Sequence, residues 1–215
     1  MNAGELGFSK ADFDSAGENI SWVLTRLSVR MKSYPRWEDS VTVETFPRGG
    51  RKIVAWRDFE IKNAAGETLG AASSEWMLID LKTRKIRPVP QAVLSCADPA
   101  NAPVLGEDPF EKIRYPSHDT GADASFTARK FHIDLNGHVN NVHYIEWMLE
   151  PCASQRPRQT DIIFKGETLV GDEVRVSVSA DDAQTYHRVF SPDGKDHVIA
   201  RTSAEPALNE ISRVQ

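Results

Sequence analysis

The stretch FTARKFHIDLNGHVNNVHYIEWMLEP, residues 126–151, decides how this chain folds. Phe126 to Ile133 reads as a strand. From about Asn140 to Glu150 the apolar residues Val142, Ile145, Met148 and Leu149 fall at helical spacing and bury one face of a helix. Pro151 has no N–H to continue the ladder and marks the helix end. Beyond it, Thr160–Phe164, Val174–Ala180, Tyr186–Phe190 and His197–Ser203 alternate in strand fashion, with Ser191-Pro192-Asp193-Gly194 as a turn. Strand, helix and four strands predict an α+β unit in which a curled antiparallel sheet wraps one apolar helix.

Outward from this segment, the first half reads similarly. Ile20–Met31, Val41–Phe46, Ile53–Ile61 and Leu69–Ile79 are predicted strands, with turns at Arg48-Gly49-Gly50 and Asn63-Ala64-Ala65-Gly66. Three landmarks recur: Asp39 with Asp172, Gly66 with Gly194, and Ala71 with Ala200, at offsets of 133, 128 and 129 positions. A near-constant offset points to a duplicated unit. The strand and helix that open the second copy have no counterpart in the first, beyond Glu5-Leu6-Gly7-Phe8 as the end of a helix. The expectation is that this chain lacks its natural start, because an uncovered apolar sheet face is rarely tolerated. Six of the twelve prolines lie between Pro88 and Pro116. The expected organisation is therefore a first unit over 1–87, a linker over 88–120 and a second unit over 121–206.

Composition narrows the function. The 215 residues carry 26 Lys and Arg against 31 Asp and Glu, a net charge of −5, which disfavours nucleic-acid binding. Two cysteines, Cys96 and Cys152, suit a reducing compartment rather than a disulfide scaffold. No apolar run reaches the roughly 20 residues of a membrane span, and Met1 to Asn19 has no signal-peptide pattern. A cytoplasmic protein is expected. Trp22, Trp37, Trp76 and Trp147 read as core residues.

The turn between strand and helix concentrates chemistry: one carboxylate, Asp134, three amides and three imidazoles between His132 and His143. In an extended backbone Asp134, Asn136 and His138 share a face. Gly137 permits a tight bend, and Asn140 or Asn141 can cap the helix. The backbone amides of Val139 and Asn140 at the helix start are candidates to bind a substrate oxyanion, with the carboxylate or imidazole activating water. The histidine pairs 132/138 and 138/143 fit no common zinc spacing, so no metal is expected, and His132 and His143 read as ordinary surface or interface residues.

These residues resemble the acyl-acyl-carrier-protein thioesterases, whose signature Asp-x-Asn-x-His-Val-Asn-Asn precedes a Tyr-Ile-x-Trp helix. The matches are Asp134, Asn136, His138, Val139, Asn140, Asn141, Tyr144, Ile145 and Trp147. The likeness extends over roughly residues 20–204, through Trp22 to Arg26, Tyr34-Pro35, Arg57-Asp58-Phe59 and Trp76 to Asp80. It implies a tandem hot-dog fold, two curled sheets each wrapping a helix, with the first incomplete at its N-terminus. It also implies hydrolysis of fatty acyl thioesters on acyl carrier protein without a cofactor. The family's catalytic Asp, Asn and His fall on Asp134, Asn136 and His138, and a further carboxylate falls on Glu167. Plant members place Cys directly after that Glu; this chain has Thr168, which favours attack by water over a thiol. The implied partner is an acidic acyl carrier protein, which the basic run Lys82, Arg84, Lys85, Arg87 is suited to dock. The reading leaves room for a homodimer. The alternatives are an acyl-coenzyme A thioesterase, a related dehydratase, or a non-catalytic module that binds acyl thioesters.

Overall fold

The computed structural model describes residues 4–98, 101–116, 122–152 and 156–203. The chain divides into two compact units, one ending at Phe110 and the next beginning at Glu111. Both are α+β, and no helix of the described residues is long and apolar enough to cross a membrane.

The first unit holds helix α1 (Lys10–Ser15), strands β1 (Ile20–Met31), β2 (Val41–Arg51), β3 (Val54–Asn63), β4 (Thr68–Asp80) and β5 (Ile86–Arg87), and the short helix α2 (Gln91–Leu94). The strands are antiparallel in the order β2-β3-β4-β1, with β5 on β4. Ser9 starts α1 through a reciprocal box with Asp12. The Asn63 side chain shapes the predicted hairpin by accepting from the Ala65 and Glu67 amides at 3.0 and 2.9 Å. Arg48-Gly49-Gly50, by contrast, does not turn; β2 runs through it on a bulge and reverses after Arg51. Gly50 is there for close approach, since a Cβ would lie 2.1 Å from the Val54 carbonyl oxygen. Trp37 is a second correction. It stands 92% exposed in the turn after β1, while Trp147 is buried and Trp22 and Trp76 are half-buried.

One face of this sheet is apolar. Phe13, Ile20 and Leu78 pack with Phe8 and Trp22, and Ala55 packs with Val89 and Val93. The other face, with Arg26, Ser28, Trp56, Asp58, Ser73 and Glu75 at paired positions, is polar and lies under residues 104–110. Fully buried Asp58 accepts from the Ser73 hydroxyl at 2.6 Å and the Val104 amide at 3.1 Å, with Arg48 Nε 3.9 Å away. Ser28 and Arg26 donate to the Pro109 and Phe110 carbonyls at 2.9 and 3.0 Å. Part of the proline-rich stretch is thus pinned by buried polar bonds. Asp58→Ala strands these donors and leaves the Arg48 charge without its carboxylate. A loss of about 3 kcal/mol in chemical denaturation is expected, the cost typical of breaking a buried ion pair.

The second unit contains β6 (Ala124–Thr127), a 3-10 turn (Lys130–His132), α3 (Asn141–Leu149), β7 (Gln159–Phe164), β8 (Glu173–Ala180), β9 (Thr185–Phe190) and β10 (Asp196–Ser203). Its antiparallel order is β7-β10-β9-β8-β6. The strand expected over Phe126–Ile133 stops at Thr127, because the chain coils into the 3-10 turn and only Ile133 pairs again, with Val139. Helix α3 lies on β8 and β9 and buries Tyr144, Trp147 and Met148 against a sheet with Val174, Val176, Val189 and Val198 fully buried. Cys96 and Cys152 are free thiols.

His187 pins helix to sheet. Its Nδ1–H donates to the Met148 carbonyl at 3.0 Å and its Nε2 accepts from Thr202 at 2.8 Å. Burial pushes its pKa from 6.5 down to about 4, against the smaller opposing effect of the Met148 carbonyl. The unfolded ring takes up a proton near 6.5 and the folded ring near 4, so the unfolded state binds more protons in between. Stability therefore falls as pH drops through that window, by about 1 kcal/mol per unit. Denaturation of His187→Asn at pH 7 and 5 is expected to lack this part of the fall.

Candidate functional site

The site grows from two loops of the second unit. The first, Ile133 to Val139, is closed by that single bridge and by the Asp134 N–H on the His138 carbonyl at 2.9 Å. Between them the Gly137 amide donates to the Asp134 carbonyl at 3.1 Å, with Gly137 at φ +84°, a conformation glycine reaches without strain. The segment is a tight turn, so the extended backbone that would put Asp134, Asn136 and His138 on one face is absent. Instead the Asp134 carboxylate folds back on Asn136, accepting its backbone N–H at 2.7 Å and its side-chain amide at 3.3 Å. Leu135 is fully exposed at the tip.

The second loop follows β7 and carries Glu167. The Lys165 and Gly166 amides both donate to the His197 carbonyl, at 2.8 and 3.2 Å. The two loops meet where the Val139 N–H donates to the Thr168 carbonyl at 2.9 Å. Beside this bond His138 Nε2 lies 3.4 Å from Glu167 Oε2, both side chains about one third exposed. The structure thus brings together Asp134 with Asn136, and His138 with Glu167, on one turn-and-loop assembly.

Val139 and Asn140 do not serve as expected. Their N–H groups are engaged, by Thr168 and by the His132 carbonyl at 2.8 Å, and are not free for a substrate oxygen. Asn140 does cap α3, its side chain accepting from the Val142 amide at 3.1 Å. The Asn141 N–H, at the first helical position, makes no hydrogen bond among the described residues. His132 and His143 are half-buried, ring centroids 4.7 Å apart and His132 edge-on to Trp147 at 5.2 Å. Burial and then the neighbouring His143 hold His132 below the usual imidazole range. Among the described residues no three His, Cys, Asp or Glu converge as metal ligands.

A buried polar row behind Glu167 escaped the sequence reading. Tyr144 on α3 donates to Thr168 Oγ1 at 2.8 Å, and Thr168 Oγ1 lies 3.3 Å from His197 Nδ1. Burial raises the Tyr144 phenol to about 12, and the Glu167 charge adds to the rise. His197 is pushed down, by burial first and then by the Lys195 charge. The available signal was Tyr144 and His197, polar-tipped residues at helix and strand positions whose neighbours are core, while Thr168 on its loop gave none.

The second unit thus sets one helix on an antiparallel sheet, with the His138–Glu167 contact near the helix start, an arrangement of hot-dog type. The profile of the acyl-ACP thioesterase N-terminal domain matches residues 1–96, and that of the C-terminal domain residues 115–205. The chain belongs to the acyl-ACP thioesterase family. It is 30% identical over 208 residues to the chloroplastic palmitoyl-acyl carrier protein thioesterase of Arabidopsis thaliana, covering 86% of this chain and 50% of that protein. It is 35% identical over 213 residues to the corresponding protein of Cuphea hookeriana, covering 91% and 51%. The chain spans about half the length of these curated relatives. Its fold matches the crystal structure of an acyl-ACP thioesterase from Bacteroides thetaiotaomicron, with a TM-score of 0.74 at 24% identity over 94% of this chain and 82% of that one.

The cap makes a direct test of the local architecture. Asn140→Ala is expected to lower stability by about 1 kcal/mol in thermal or chemical denaturation, the usual cost of losing an N-cap acceptor.

Proposed function

We propose that this protein hydrolyses fatty acyl thioesters of acyl carrier protein to free fatty acid. The observation that carries the reading is the His138–Glu167 contact beside the Asp134–Asn136 turn, in a chain of this family. Glu167 or Asp134 takes the proton of the attacking water, and His138 relays a proton toward the leaving thiol. Asn136, held by Asp134, orients substrate or water. The Asn141 N–H takes the place of the Val139 and Asn140 amides as the group assigned to developing oxyanion charge.

The same reading extends to the architecture. Each unit is taken as one hot-dog, the second with β6 and α3 and the first, among the described residues, without an equivalent opening strand and long helix. The connecting stretch is taken over 88–120, of which Val89, Val93 and residues 104–110 pack on the first unit, with residues 99–100, 117–121 and 204–206 outside the described positions. Lys82, Arg84, Lys85 and Arg87 are exposed around the β4–β5 hairpin, as docking of an acidic carrier protein requires.

The decisive assay incubates the protein with acyl thioesters of graded chain length on acyl carrier protein and on coenzyme A, and measures free thiol. Release from the carrier-protein series is expected, with Asp134→Ala and His138→Ala each reducing it about 100-fold or more. Release confined to the coenzyme A series supports the alternative thioesterase, and rates unchanged by both substitutions remove the site assignment.

A further inference from the structure

The buried row behind Glu167 continues to half-buried Ser191. Ser191 Oγ faces His197 Nε2 at 3.1 Å and in turn reaches the Lys195 carbonyl at 3.3 Å. With the Ser191 hydroxyl donating to that carbonyl, which also receives the Ser191 N–H at 3.0 Å, Ser191 Oγ accepts from His197 Nε2–H. His197 Nδ1 is then the acceptor of the ring and takes the Thr168 hydroxyl proton, while Thr168 Oγ1 accepts from Tyr144. Every member is satisfied in this direction. Tyr144, Thr168 and His197 are 2%, 0% and 4% exposed, so water offers no substitute partner. The low protonation range of His197 suits the neutral ring that the row demands.

The row also joins three elements at the point where the site is set. Tyr144 belongs to α3, Thr168 to the Glu167 loop and His197 to β10. The backbone of Thr168 receives the Val139 N–H, and the backbone of His197 receives Lys165 and Gly166. Gly166 leaves little room for displacement, since a Cβ there would lie 3.1 Å from His197 Nδ1 and 3.2 Å from the Asp196 carbonyl oxygen.

We propose that Thr168 is a positioning residue for thioester hydrolysis: its hydroxyl, accepting from Tyr144 and donating to His197, holds the adjacent Glu167 against His138. The proposal rests on the hydrolytic reading above. A hydroxyl at 168 both gives and receives, and valine, of nearly the same shape, does neither. The task at this position is alignment.

Two measurements on the 215-residue chain test it. In the first, Thr168→Val lowers kcat about ten-fold or more with KM within about two-fold, and Thr168→Ser regains most of the loss. In a Glu167→Gln background Thr168→Val costs little further, because its effect passes through Glu167. Equal costs in both backgrounds, or no rescue by serine, overturn the proposal and leave Thr168 a packing residue. The second needs no turnover. The imidazole ¹⁵N spectrum at pH 7 shows His197 neutral with its proton on Nε2, and Thr168→Val shifts the Nδ1 resonance as its donor is lost. A charged ring, the opposite tautomer, or an Nδ1 signal indifferent to the substitution overturns the proposal. If the chain releases no thiol from any acyl thioester, the hydrolytic reading fails by itself and the imidazole spectra decide whether the row exists.

Discussion

The Val139 N–H bond to the Thr168 carbonyl, 2.9 Å long, is the constraint on which the second unit's site depends. It joins a turn and a loop that are nearly thirty residues apart. Each partner is next in sequence to a side chain that matters, Val139 to His138 and Thr168 to Glu167. A backbone bond of this kind holds main chains together without regard to side-chain identity. Both residues flanking it are buried, which protects the bond from competition with water. The half-buried pair His138 and Glu167, to which we assign the chemistry, then stands at the solvent edge of this fixed structure.

The two units solve the problem of covering a sheet by different means. In the second, α3 lays Tyr144, Trp147 and Met148 on fully buried valines, so one face is covered by apolar packing. In the first, a polar sheet face is covered by irregular chain over residues 104–110. That covering is paid for in hydrogen bonds: Asp58, Ser28 and Arg26 each satisfy or are satisfied by backbone groups that would otherwise be buried alone. A proline-rich segment suits this role, because it forms no ladder of its own and presents carbonyls for side chains to find.

Period-two alternation made the strands legible. β1 spans the expected Ile20–Met31, and β7 to β10 each begin within one residue of their expected starts. The bounds of helix α3 were legible from its cap and Pro151, but its buried face only in part: Tyr144, Trp147 and Met148 are buried, while the expected Val142 is 49% exposed. Features set by tertiary contact were not. Gly49 and Gly50 look like a turn, but serve as small residues where β2 passes close to its neighbour. Trp37 has core chemistry and no core to enter. The Asp134 turn looks extended until the positive φ of Gly137 and the Asp134–Asn136 bonds are known. The engagement of the Val139 and Asn140 amides depends on partners at 168 and 132 that no local pattern reveals. His197 carries no motif and joins the site region only through sheet pairing.

We assign thioester cleavage to the point where His138 faces Glu167. The most direct test is a crystal structure of the protein with an acyl-pantetheine analogue in which the scissile sulfur is replaced by a methylene group. The analogue's carbonyl, or the water beside it, is predicted within hydrogen-bond reach, about 3 Å, of these two side chains. A carbonyl seated elsewhere, with both side chains untouched, would contradict it.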